Sequence, residues 1–132
     1  MSDLKITHAG SEITRSATGP INPLATLGQD GSVYTNLATA ITPPTGKVFV
    51  AITFLAETQF HDTDGLVAED GTKFINEAAE AHGGTADSLH GTGGVAVDNG
   101  VKFPGGLTIY GRWTKITMKT ADPDGGIIAY IG

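Results

Sequence analysis

The run Lys47-Val48-Phe49-Val50-Ala51-Ile52-Thr53-Phe54-Leu55-Ala56 is apolar at both parities and follows the loop Thr42-Pro43-Pro44-Thr45-Gly46. A strand with one wet face alternates apolar and polar residues, so this run predicts a strand covered on both faces, at the centre of the core. The rest of the chain must be arranged around it. With 19 glycines, 6 prolines, abundant threonine and sparse leucine, short strands joined by tight turns fit better than helices. At 132 residues the chain is expected to be one domain, burying roughly two-thirds of the surface its unfolded form exposes. It contains no cysteine, so packing alone must hold it together.

Two further stretches carry hairpin turn dipeptides. Asp70-Gly71 lies between Leu66-Val67-Ala68-Glu69 and Thr72-Lys73-Phe74-Ile75, and Asn99-Gly100 follows Val97-Asp98 and precedes Val101. Both suit the positive backbone dihedrals of a type I′ hairpin and argue for an antiparallel sheet. Residues 76–82 could form a helical turn or two, too short to hold itself in water, and the glycine-rich 83–94 reads as a surface loop. Further on, Leu107, Ile109 and Trp113 share one parity while Ile116 and Met118 share the other. A strand whose apolar face switches parity needs an extra residue, so a β-bulge is expected at Gly111 or a neighbour. After the turn Asp122-Pro123-Asp124-Gly125-Gly126, the apolar run Ile127–Ile131 places the chain's end inside a sheet.

Residues 1–45 show no sustained alternation, and prolines at 20, 23, 43 and 44 push their predecessors to extended conformations. They read as an extended arm with one or two edge strands. The expected architecture is therefore all-β: an antiparallel β-sandwich or jelly-roll-like β-barrel over 46–132, with an extended N-terminal arm over 1–45.

The formal net charge of −6, from 14 acidic and 8 scattered basic residues, argues against nucleic acid and anionic membranes as partners. No apolar run approaches the ~20 residues of a membrane span, and the start Met1–Ser16 lacks a basic region followed by an apolar stretch. Synthesis in the cytoplasm without a secretory leader is expected.

Chemistry-bearing motifs are weak. His8, His61, His82 and His90 lack the spacing of a transition-metal site, and His82 and His90 fall in the glycine loop. Asp62 and Asp64 of Asp62-Thr63-Asp64-Gly65, with Glu69 and Asp70, could offer oxygens to calcium, but the EF-hand spacing fails and a plain Asp-Gly turn is the better reading. No Gly-x-Ser-x-Gly elbow, Walker loop or dinucleotide fingerprint occurs. No cofactor and no enzyme activity are expected. The candidate interface is Tyr110, Arg112 and Trp113, residue types that dominate binding hot spots. On a regular strand Tyr110 and Arg112 share one face and Trp113 the other. So large a ring is mostly buried, which assigns Trp113 to the core and leaves Tyr110 and Arg112 as subunit contacts.

Phe103-Pro104-Gly105-Gly106-Leu107-Thr108-Ile109-Tyr110-Gly111-Arg112-Trp113-Thr114 and the closing Ile127-Ile128-Ala129-Tyr130-Ile131-Gly132 resemble small virion structural proteins of tailed phages, especially marine and cyanobacterial ones. The resemblance covers the last two-thirds of the chain. It implies a capsid decoration or cement protein: a β-sandwich or barrel, as a homotrimer or other symmetric unit, that binds the major capsid protein on the virion surface and stabilises the head. The alternative is a carbohydrate- or host-receptor-binding β-module on a virion or cell surface, using exposed aromatics and a calcium loop.

Overall fold

The structure is a computed structural model that describes residues 29–77 and 94–132. Most of the expected arm, most of the optional helical turn and glycine loop, and His8, His82 and His90 lie outside the described residues.

The fold is all-β. Five strands, β1 (Ser32–Thr35), β2 (Phe49–Phe54), β3 (Leu66–Ala68), β4 (Thr108–Ile116) and β5 (Ile127–Ile131), form one sheet in the order β1-β5-β2-β4-β3. Every pairing is antiparallel. The apolar run at 47–56 supplies the central strand, and β5 lies between β2 and β1, so the closing segment is inside the sheet as expected. β1 lies at the edge of the sheet, as one of the edge strands expected within residues 1–45.

One face of this sheet is closed. Phe49, Ile52 and Phe54 of β2, Trp113 and Ile116 of β4, and Ile127, Ala129 and Ile131 of β5 are buried together with Phe60, Leu66, Val97 and Met118. Each of the large side chains contributes roughly 1.5–3 kcal/mol by leaving water. Phe54 stacks on Phe103 at 4.9 Å, and Phe60 meets both edge-on at 5.9 and 5.5 Å. The layer above this core is made of loops. They are tied by isolated bridges, Ile41 to Ile116, Thr58 to Phe103 and Phe60 to Met118. Neither the second sheet of a sandwich nor the pairing of β1 with β3 that would close a barrel is found among the described residues.

The register explains why β2 is apolar at both parities. Between Phe49 and Ala51 the partner on β5 advances by one residue only, from Ile131 to Tyr130, which leaves Val50 as a bulge. Phe49 and Ile52 both reach the core because of it, although they are three apart. The doubled pattern therefore reflects an irregular strand as well as burial: on the second face of β2 Ala51 is buried between its neighbours on β4 and β5, and no further layer packs there among the described residues.

The bulge expected in β4 is present and doubled. Against β2 the strand advances from Tyr110 to Trp113 while its partner moves two residues, and against β3 it skips Thr114 between Trp113 and Lys115. The second irregularity lets Trp113 and Ile116 share the closed face. Gly111 has a separate reason to be glycine, since a Cβ there would lie 2.6 Å from the Trp113 ring. Gly126, at φ 106°, turns the chain into β5 where a side chain would run into the Thr35 carbonyl.

The hairpin expected at Asp70-Gly71 does not form. Asp70 captures the turn itself: its carboxylate accepts from the amide (3.0 Å) and hydroxyl (2.6 Å) of Thr72, and its carbonyl accepts from Lys73 and Phe74. The returning segment is held to β3 by Asn76, whose Oδ1 accepts from Ala68 N at 2.7 Å. Asn99-Gly100 does make a turn, with Gly100 N donating to Asp98 Oδ1 at 2.9 Å, but no strands flank it.

Candidate interaction surface

The open face is built from residues that alternate with the core along the same strands. In β5, Ile127, Ala129 and Ile131 point inward, so Ile128 and Tyr130 point outward. Cross-strand register then defines two rows. Ser32, Tyr130, Ala51 and Tyr110 lie across β1, β5, β2 and β4, and Tyr34, Ile128, Thr53 and Thr108 lie beside them. None of these residues carries a charge at neutral pH, in a chain of net charge −6.

All three tyrosines of the chain stand in these rows, whereas Phe49, Phe54, Phe60 and Trp113 are fully buried. Tyr110 is 77% exposed and Tyr34 54%. The Tyr34 hydroxyl donates to the Gly125 carbonyl at 2.7 Å, which ties β1 to the turn before β5. Thr53 and Thr108 share a hydrogen bond of 2.8 Å between their hydroxyls. Tyr110 and Tyr130 rise on either side of Ala51, and with Thr53 and Thr108 they line a shallow depression of about 200 Å³.

Arg112, the second expected contact, is exposed at the β4 irregularity and committed to Glu69. Its Nε donates to Oε1 at 2.6 Å and a terminal nitrogen to Oε2 at 3.4 Å. That hydrogen bond holds the Glu69 carboxyl below its ordinary value and raises Arg112 further. Trp113, named with them, does not reach the surface. It is fully buried, and its indole N–H donates to Ile75 O at 3.1 Å, so it belongs to the core and not to an interface.

A second apolar feature lies at one end of the sheet, where β1 and β2 finish and β4 and β5 begin. Leu37, Leu55 and Leu107 are all exposed there, at 56%, 49% and 37%. Phe54 N donates to Leu107 O and Leu55 N to Gly126 O, which fixes these strand ends side by side.

The calcium candidates are not brought together. Asp62 and Asp64 stand exposed on a turn capped by His61, whose Nδ1 accepts from the amides of Thr63 (3.2 Å) and Asp64 (3.4 Å). Asp64 faces Lys115 at 3.5 Å, while Glu69 and Asp70 are engaged with Arg112 and Thr72. Among the described residues no group of three or more histidines, cysteines or carboxylates could hold a metal ion. Nor is any helix there long and apolar enough to cross a membrane.

Tyr34, Tyr130, Ala51, Thr53, Thr108 and the three leucines were not singled out by the sequence reading. In Ile127–Ile131 only the tyrosine hydroxyl sets Tyr130 apart from its apolar neighbours, and that is the one local signal that could have placed it opposite the core. Tyr34 has no local pattern to reveal it, because its position depends on pairing with β5. In comparisons with known proteins, no family model, no curated protein and no solved structure matches the chain.

Proposed function

We propose that the chain is a non-enzymatic structural protein of a tailed-phage virion, which docks on the capsid surface as a symmetric homo-oligomer and cements neighbouring major capsid subunits. The observation that carries this reading is the exposure of Leu37, Leu55 and Leu107 along one end of the sheet, which gives that rim apolar side chains for shallow protein contacts. The stretches that resemble virion proteins, 103–114 and 127–132, supply Leu107 of this rim and the two strands that flank β2. Weak contacts of this kind gain strength when a symmetric particle repeats them.

Co-sedimentation with expanded tailed-phage heads tests the reading. The wild-type chain is expected to pellet with the heads, and a Leu55→Ser/Leu107→Ser variant with unchanged circular dichroism is expected to stay in the supernatant. Failure of the wild type to pellet contradicts the proposal. The alternative, a carbohydrate-binding module, draws on the depression between Tyr110 and Tyr130, and binding of soluble oligosaccharides without pelleting would favour it.

A further inference from the structure

We infer that the open face is covered by the same face of a second copy of this chain, paired about a twofold axis. This deepens the assembly reading above by naming the partner of that face. Two observations carry it, the absence of charge and the alternation of large and small side chains.

A surface that meets its own copy must not repel itself. With a net charge of −6, most ways of bringing two copies together oppose like charges, and the cost falls where charge is absent. The two rows across β1, β5, β2 and β4 are such a place: eight uncharged residues on the face opposite the core, beside which the charge of Arg112 is already paired with Glu69.

The relief of the face is also self-complementary. An isologous contact requires that residue i meet residue j while j meets i. Along one row, Ser32, Tyr130, Ala51 and Tyr110 read small, large, small, large, and Ala51 floors the depression of about 200 Å³. Tyr110 is the most exposed large side chain of the face, at 77%. A twofold axis running along the strands, midway between β5 and β2, puts Tyr110 of each copy over Ser32 of the other and Tyr130 over Ala51. Sheets packed face to face stand roughly 10 Å apart, a gap that interdigitated tyrosines fill. The pair would then be a two-layer β-sandwich made from two chains.

Four strands about 4.8 Å apart and five residues at about 3.4 Å give a footprint of roughly 19 by 17 Å, about 320 Å² per copy, which is below the roughly 800 Å² per partner of a standard interface and fits a weak, transient pair. Such a pair dissociates on dilution. A threefold arrangement, which the resemblance to virion proteins implies, brings unlike surfaces together and leaves this self-complementary relief unused.

The test is the solution mass of the full chain by light scattering over a dilution series. The wild type is expected to rise from 13.5 kDa towards twice that mass with concentration. Tyr110→Glu is expected to remain at one chain throughout, and Tyr110→Phe to pair like the wild type. Circular dichroism and Trp113 emission confirm that both variants fold. A mass of three chains, a wild type that stays monomeric, or pairing untouched by Tyr110→Glu would each overturn the inference. Head binding is read separately through Leu55 and Leu107, so loss of pelleting with intact pairing removes only the capsid proposal.

Discussion

The two faces of the sheet are made by the same strands and differ mainly in whether an aromatic ring carries a hydroxyl. On the closed face Phe49, Phe54 and Trp113 are fully buried, and the one polar group among them, the indole N–H, has found Ile75 O. On the open face the rings are Tyr34, Tyr110 and Tyr130, beside a pair of threonines bonded to each other. A buried hydroxyl without a partner costs roughly 1–3 kcal/mol, so phenylalanine can sit in a core where tyrosine cannot. Tyrosine in turn offers a face that tolerates water and can still lose it to a protein surface at small entropic cost. The segregation marks one face as finished and the other as available.

Substitutions on either side of β4 should differ most in stability. Trp113→Ala is expected to cost about 3–5 kcal/mol, as loss of a large core side chain does, whereas Tyr110→Ala should fall within about 0.5 kcal/mol in the monomer. Urea denaturation of both at low concentration decides this, and similar costs would erase the distinction between the faces. Gly111→Ala comes next. Its Cβ would press on the Trp113 ring, so a loss of about 1–3 kcal/mol and an altered tryptophan emission are expected. A neutral result would mean that the ring does not lie over Gly111.

Smaller effects sharpen the picture of the open face. A double-mutant cycle with Thr53→Val and Thr108→Val should give a coupling of about 0.5–1 kcal/mol from their shared hydrogen bond. Additive effects would show that the two hydroxyls prefer water. The smallest effect belongs to Glu69 and Arg112. The folded protein holds the Glu69 carboxyl below its unfolded value, so the pair stabilises above roughly pH 4.3, and this contribution is lost as pH falls through the folded value. In Arg112→Gln the Glu69 titration followed by NMR should move back up. No movement would mean that the ion pair is not populated.

The closed face was largely legible in the sequence, because core residues leave local patterns. The run at 47–56 located the central strand, the short apolar run at 127–131 located its neighbour, and the parity switch after Trp113 announced a bulge. The same patterns are ambiguous where the backbone is irregular: the bulge at Val50 adds to the doubled apolar pattern that burial of Ala51 on the second face also produces. Asp70-Gly71 misled, since the Asp70 side chain takes over the turn and Asn76 replaces a strand partner. The open face was legible only at Tyr110. Tyr34 and Tyr130 become its neighbours through pairing between the beginning and end of the sheet, which no local window contains. The leucine rim likewise exists only once four strand ends are brought together.

Nitration of the tyrosines by tetranitromethane, mapped by mass spectrometry in dilute and in concentrated protein, tests the central claim that one face of the sheet is left free for a partner. The account predicts that Tyr110 reacts first in dilute solution, ahead of Tyr130, and becomes protected as concentration rises. A Tyr110 that is unreactive when dilute, or equally reactive at both concentrations, would contradict it.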